Sequence, residues 1–190
     1  MEFIPSSSQT IGPFFHVYFD AKGVTGSVAG PLAKGERIRL ACRVLDGDGA
    51  PVTDAMIEIW QADANGIYNH PDDPRRSTVD PAMTGFGRLP TNNDGICEFE
   101  TVKPGCVSAK NAASQAPHFN VTIFGRGLLK GVSTRIYFAD DPANRSDPVL
   151  ALVPQERHAA LMASRDAKVP SIWRIDFHLC GDGETVFFDV

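Results

Sequence analysis

The amino-acid sequence predicts an all-β protein, an antiparallel β-sandwich with long loops and one short helix. Three observations carry that expectation. About seven short stretches alternate apolar and polar residues with period two, the pattern of a strand with one wet and one dry face. Turn signals such as DGDG at 46–49 and Asp94–Gly95 separate them. A helix-forming composition is confined to a single segment.

Taken in order, residues 36–46, ERIRLACRVLD, set Arg37, Arg39 and Arg43 against Ile38, Leu40, Cys42 and Val44. Next, AMIEIWQAD at 55–63 places Ile57 and Ile59 on one side and Glu58 and Trp60 on the other. TNNDGICEFETV at 91–102 turns at Asp94–Gly95 and then extends. HFNVTIFG at 118–125 and STRIYF at 133–138 form two strands joined by a Gly-rich link. WRIDFHLC at 173–180 alternates Trp173, Ile175, Phe177 and Leu179 with Arg174, Asp176 and His178. GDGETVFFDV closes the chain as a last strand. The helix is expected over Gln155 to Arg165, after Pro154. Two stretches lack period: 64–90, with four prolines, and 103–117, KPGCVSAKNAASQAP. Long loops on a rigid sandwich are where function concentrates.

A chain of 190 residues suits one domain spanning 1–190. Net charge is −5, and no run of Lys or Arg exceeds Arg75–Arg76. That balance offers no electrostatic footprint for nucleic acid or an anionic membrane, so neither is expected as a partner. The N-terminus, MEFIPSSSQTIGPFF, lacks a basic region followed by an apolar stretch, and the expected location is cytoplasmic. Cys42, Cys97, Cys106 and Cys180 are scattered without a C-x-x-C pair, which fits reduced thiols better than zinc or a disulfide framework.

Four places hold residues able to do chemistry. EIWQADANGIYNH at 58–70 ends in Tyr68 and His70; KPGCV at 103–107 is a Pro-Gly turn; APHFN puts His118 and Asn120 on one strand face; Arg126 lies between Gly125 and Gly127. A metal centre needs three or four converging ligands. Residue chemistry alone supplies two, and leaves a β-sandwich with decorated loops.

The motifs SQTIGPFF, IEIWQADANGIYNH, DPAMTGFGRLPTNNDGICEFETVKPG and APHFNVTIFGRG resemble the intradiol ring-cleaving dioxygenases, and the resemblance runs from Ser8 to the terminal GETVFFDV. It implies a β-sandwich. Catalytic members hold a non-haem ferric ion with two tyrosines and two histidines, hard phenolates and imidazoles that suit Fe(III). The matching positions are Tyr68, Val107, His118 and Asn120, and an arginine three residues before the first histidine falls at Gln115. Two of the four ligands are therefore missing, so no metal is expected on this chain.

The resemblance then implies an iron-free, alpha-type subunit that pairs with a catalytic beta subunit of the same family in a hetero-oligomer of alpha–beta units. Fe(III) would be bound by that partner. Thr10, Gly12, Pro13 and Arg126 would line its pocket as substrate-binding residues, with Arg126 drawing in a carboxylate. The complex would cleave protocatechuate with O2 between the hydroxyl-bearing carbons to give 3-carboxy-cis,cis-muconate. Residues 1–19, with the run Phe14, Phe15, Val17, Tyr18 and Phe19, would be an arm docking on the partner. The competing reading is a free-standing β-sandwich module that binds a small aromatic acid or a protein.

Overall fold

The alternating segments become ten strands among the residues described by the computed structural model, which are 7–12, 24–108 and 114–189. The first four are β1 (Arg37–Leu45), β2 (Met56–Trp60), β3 (Phe86–Pro90) and β4 (Ile96–Val102). Two short ones follow, β5 (Val107–Ser108) and β6 (Ser114–Gln115), then β7 (His118–Phe124) and β8 (Val132–Phe138). The last are β9 (Met162–Arg165) and β10 (Ile172–His178). Pro13 and the aromatic run from Phe14 to Phe19 lie outside the described residues.

The strands β3-β2-β7-β8 form one layer and β10-β1-β4 the other. β9 joins them, parallel to β8 and antiparallel to β10. At the opposite side, residues Thr25–Ala29 stitch the two free edges together. Thr25 N–H donates to the Arg88 carbonyl (2.9 Å), Val28 N–H to that of Glu100 (2.9 Å), and Glu100 N–H to that of Gly26 (2.8 Å). This close approach requires Gly87. A Cβ there would lie 2.8 Å from Val28 and 2.9 Å from the Phe99 ring, inside any tolerable contact.

Leu40, Val44, Phe99, Trp173 and Phe177 from one layer meet Ile57, Ile59, Phe119, Ile136 and Phe138 from the other, all fully buried. The Phe138 and Trp173 rings pack edge to face at 4.7 Å. Removing each such side chain from water contributes about 1.5–3 kcal/mol. A second cluster, Ala116, Tyr137, Leu150, Val153 and Leu161, covers the outer face of β8.

Four expectations are modified. The stretch from Gln155 to Arg165 is a 3-10 helix only over Gln155–Leu161 and continues as β9. Its last residues bridge β8 and β10, and that pairing overrides local propensity. The aperiodic stretch 64–90 contains β3, a strand that ends in Pro90 on the edge of its layer, where a missing N–H is tolerated. The C-terminal strand reduces to one bridge, Phe188 to Ser133. Most pairings are antiparallel as expected, but β1–β10 and β8–β9 are parallel. Among the described residues, no helix is long and apolar enough to cross a membrane.

Candidate functional site

The loop after β2 is built around Asp63, whose carboxylate accepts from the N–H groups of Asn65 and Ile67 (both 2.9 Å) and Asp80 (3.0 Å). Gly66 follows at φ +74°, and a Cβ there would lie 1.8 Å from the Cys106 carbonyl oxygen. Only glycine lets the 103–107 turn lie against this loop. The result sets Val107 beside Tyr68 on the wall of one cleft of about 530 Å³, with Trp60, His70, Pro74 and Arg75.

β7 meets this loop at Tyr68. Its alternation sends Phe119 and Val121 into the core and places His118 and Asn120 together on the outer face. The four positions expected from the resemblance, Tyr68, Val107, His118 and Asn120, therefore do gather in one place. His118 Nδ1 lies 2.7 Å from the Ala116 carbonyl, which can only accept, so Nδ1 carries the proton and Nε2 the lone pair. The Tyr68 hydroxyl donates to that Nε2 (3.3 Å) and accepts from Asn120 Nδ2 (3.2 Å). The Trp60 ring stacks on Tyr68, 5.8 Å between centroids and 9° between planes.

The electrostatics hold this set neutral. Burial, and then the positive charge of Arg135, push the His118 pKa down to about 4. Burial raises the Tyr68 phenol, against a smaller lowering by the Asn120 hydrogen bond and Arg135. Arg135 stands opposite Asn120 in the β7–β8 register and donates to Gln115 Oε1 (2.7 Å) and the Tyr137 hydroxyl (3.4 Å). A ferric ion does not fit here. Val107 has no donor atom, the phenol resists ionisation, the imidazole lone pair is engaged, and a fixed cation stands alongside. Among the described residues, no three His, Cys, Asp or Glu side chains cluster as metal ligands. Arg135 was not among the residues anticipated from sequence; its signal was only a polar position within STRIYF.

The second expected group lies elsewhere. Arg126 follows the far end of β7 from His118, more than roughly 20 Å away at ~3.3 Å per extended residue. Thr10 is brought to it, its Oγ1 accepting from the Gly127 N–H at 2.8 Å. Gly127 sits at φ +88°, which suits a residue without a side chain. Thr10, Gly12 and Arg126 are exposed, and Arg126 pairs with Asp54. Pro13, the fourth of this group, lies outside the described residues.

A family model described as Dioxygenase matches residues 12–181. The protocatechuate 3,4-dioxygenase alpha chains of Burkholderia cepacia and Pseudomonas putida are 45% and 38% identical to this chain; those alignments span 96% and 100% of it and 96% and 98% of the relatives. The beta chain of the Burkholderia cepacia enzyme is 35% identical over 68% of this chain and 56% of its own length. In fold, the dioxygenase domain of a dioxygenase carbohydrate-binding protein fusion from Streptomyces sp. SirexAA-E superposes with a TM-score of 0.63 at 22% identity, covering 94% of this chain and 99% of that one. Matched across most of its length by the family model and almost end to end by these relatives, the chain belongs to the intradiol ring-cleaving dioxygenase family.

Proposed function

We propose that this chain is the iron-free alpha subunit of a protocatechuate 3,4-dioxygenase, a single β-sandwich domain that works only beside an iron-bearing beta subunit in the cytoplasm. The observation that carries the reading is the separation of its two polar groups. Thr10, Gly12 and Arg126 sit at the end of β7 remote from Tyr68 and His118, so they do not belong to the cleft around those two residues, which supports a role toward a partner's pocket. The near full-length relation to two alpha chains, and a weaker one to a beta chain, supports the same assignment.

In this reading Fe(III) is held by the partner, where it supplies activation of the ring toward O2. Both oxygen atoms end in the product, 3-carboxy-cis,cis-muconate, when protocatechuate is opened between its hydroxyl-bearing carbons. This chain contributes the wall. Thr10, Gly12 and Pro13 shape the mouth, and the Arg126 guanidinium orients the substrate carboxylate by charge-assisted hydrogen bonds. Residues 1–19 act as an arm on the partner.

Co-expression with a beta-type chain tests the assignment. The two chains should co-elute and cleave protocatechuate, neither should do so alone, and removal of residues 1–19 should abolish co-elution. A stable monomer that ignores every such partner would favour the free-standing module instead. Within the assembled enzyme, Arg126→Ala should cost roughly 1–3 kcal/mol in kcat/KM, expressed in KM and with the iron spectrum unchanged. Unaltered kinetics would remove Arg126 from the site.

A further inference from the structure

The geometry points to Asp54 as a positioning residue for the proposed reaction, one that holds the Arg126 guanidinium in the orientation that receives the substrate carboxylate; the inference rests on the assignment of Arg126 above. The β2–β7 register pairs Met56 with Phe124. Continued two residues beyond the strands, it sets Asp54 opposite Arg126, and the two side chains form an ion pair through Arg126 Nε and Asp54 Oδ2. The contact engages the Nε edge of the guanidinium. Among the described residues the Arg126 side chain has no ion-pair partner besides Asp54, and its guanidinium carries further N–H donors for a carboxylate.

The two ends of this arrangement differ. The Arg126 side chain is 70% exposed, as a residue waiting for a ligand would be, whereas Asp54 is 23% exposed and stands on a fixed support. That support is buried Thr91. Its hydroxyl accepts from Ala55 N–H (3.1 Å) and donates to the Val52 carbonyl (2.8 Å), while its own N–H donates to the Ala55 carbonyl (2.9 Å). The backbone is thus tied down on both sides of Asp54. On the other flank, Thr10 holds the Gly127 N–H. An exposed arginine otherwise samples many rotamers, and ordering it on binding opposes affinity. Asp54 imposes that order in advance. The opposing effect, repulsion of the incoming carboxylate by Asp54, is screened by water at this exposed arginine.

The test uses the assembled alpha–beta enzyme with protocatechuate, and with catechol as the substrate lacking a carboxylate. Asp54→Ala should raise KM for protocatechuate about three- to tenfold and leave kcat, iron content and catechol turnover near wild type. Asp54→Asn, which keeps an oxygen beside Nε without the charge, should recover part of the loss. On an Arg126→Ala background, Asp54→Ala should add nothing further. An unchanged or lowered KM in Asp54→Ala, no recovery in Asp54→Asn, or an equal loss on the Arg126→Ala background would each overturn the role. If Arg126→Ala itself has no effect, the assignment of Arg126 fails first, and the two failures are told apart.

Discussion

Replacing Asp147 by alanine should lower the unfolding free energy by roughly 3–5 kcal/mol, the range for stripping several buried donors of one charged acceptor. Asp147 is 1% exposed. One carboxylate oxygen accepts from Val149 N–H (2.9 Å), Leu150 N–H (2.7 Å) and the Tyr137 hydroxyl (3.1 Å); the other accepts from Ala116 N–H (2.7 Å). Three of these four donors, on Ala116, Tyr137 and Leu150, belong to the buried, mainly apolar cluster of Ala116, Tyr137, Leu150, Val153 and Leu161. The alanine variant therefore keeps the burial and loses the compensation. The damage should reach the site. Ala116 accepts the His118 Nδ1–H, and Tyr137 is the β8 residue paired with His118. Urea unfolding of wild type and variant side by side measures the loss. A change below about 1 kcal/mol, the size of a single ordinary hydrogen bond, would show that Asp147 is not the anchor described.

Acidification is the second large effect. His118 titrates near 6.5 when unfolded and about 4 when folded, because burial and Arg135 disfavour its cation. Between those values the unfolded chain binds the extra proton, so unfolding is promoted as pH falls. Stability should be unaffected by this group above about pH 6.5 and decline from there to pH 4 by about 3 kcal/mol, reaching its floor below that. The carboxylates held below their ordinary range, Asp73 and Asp80, act in a separate and more acidic window, since their stabilisation is lost only as pH falls toward their folded values. His118→Gln removes the titration and should flatten the stability profile between pH 6.5 and 4. An equally steep profile in that variant would assign the acid sensitivity to other groups.

Much of the architecture was legible in the sequence because β1, β7 and β10 each bury one face and wet the other, and alternation reports that directly. β3 escaped notice. Gly87 and Pro90 break its period, and its glycine serves an inter-layer contact that no local pattern encodes. Over β9 the local composition favours helix; the gap that this strand fills between β8 and β10 is a property of the whole sandwich. At the site, Tyr68, Val107, His118 and Asn120 were placed through motif resemblance, and the structure gathers them. Arg135, Asp147 and Asp54 were not anticipated. Each acts on a residue brought near by strand pairing or a loop return, so its role depends on register and not on sequence spacing.

Tyr68, His118 and Asn120 form a neutral hydrogen-bonded set beside the apolar Val107, and the four together have no use for a ferric ion. Iron determined per chain, on this polypeptide purified alone and on the assembled enzyme after the chains are separated, tests it most directly. Iron is expected with the partner and none with this chain. Stoichiometric iron on this chain alone, with visible absorption from phenolate-to-iron charge transfer, would contradict it.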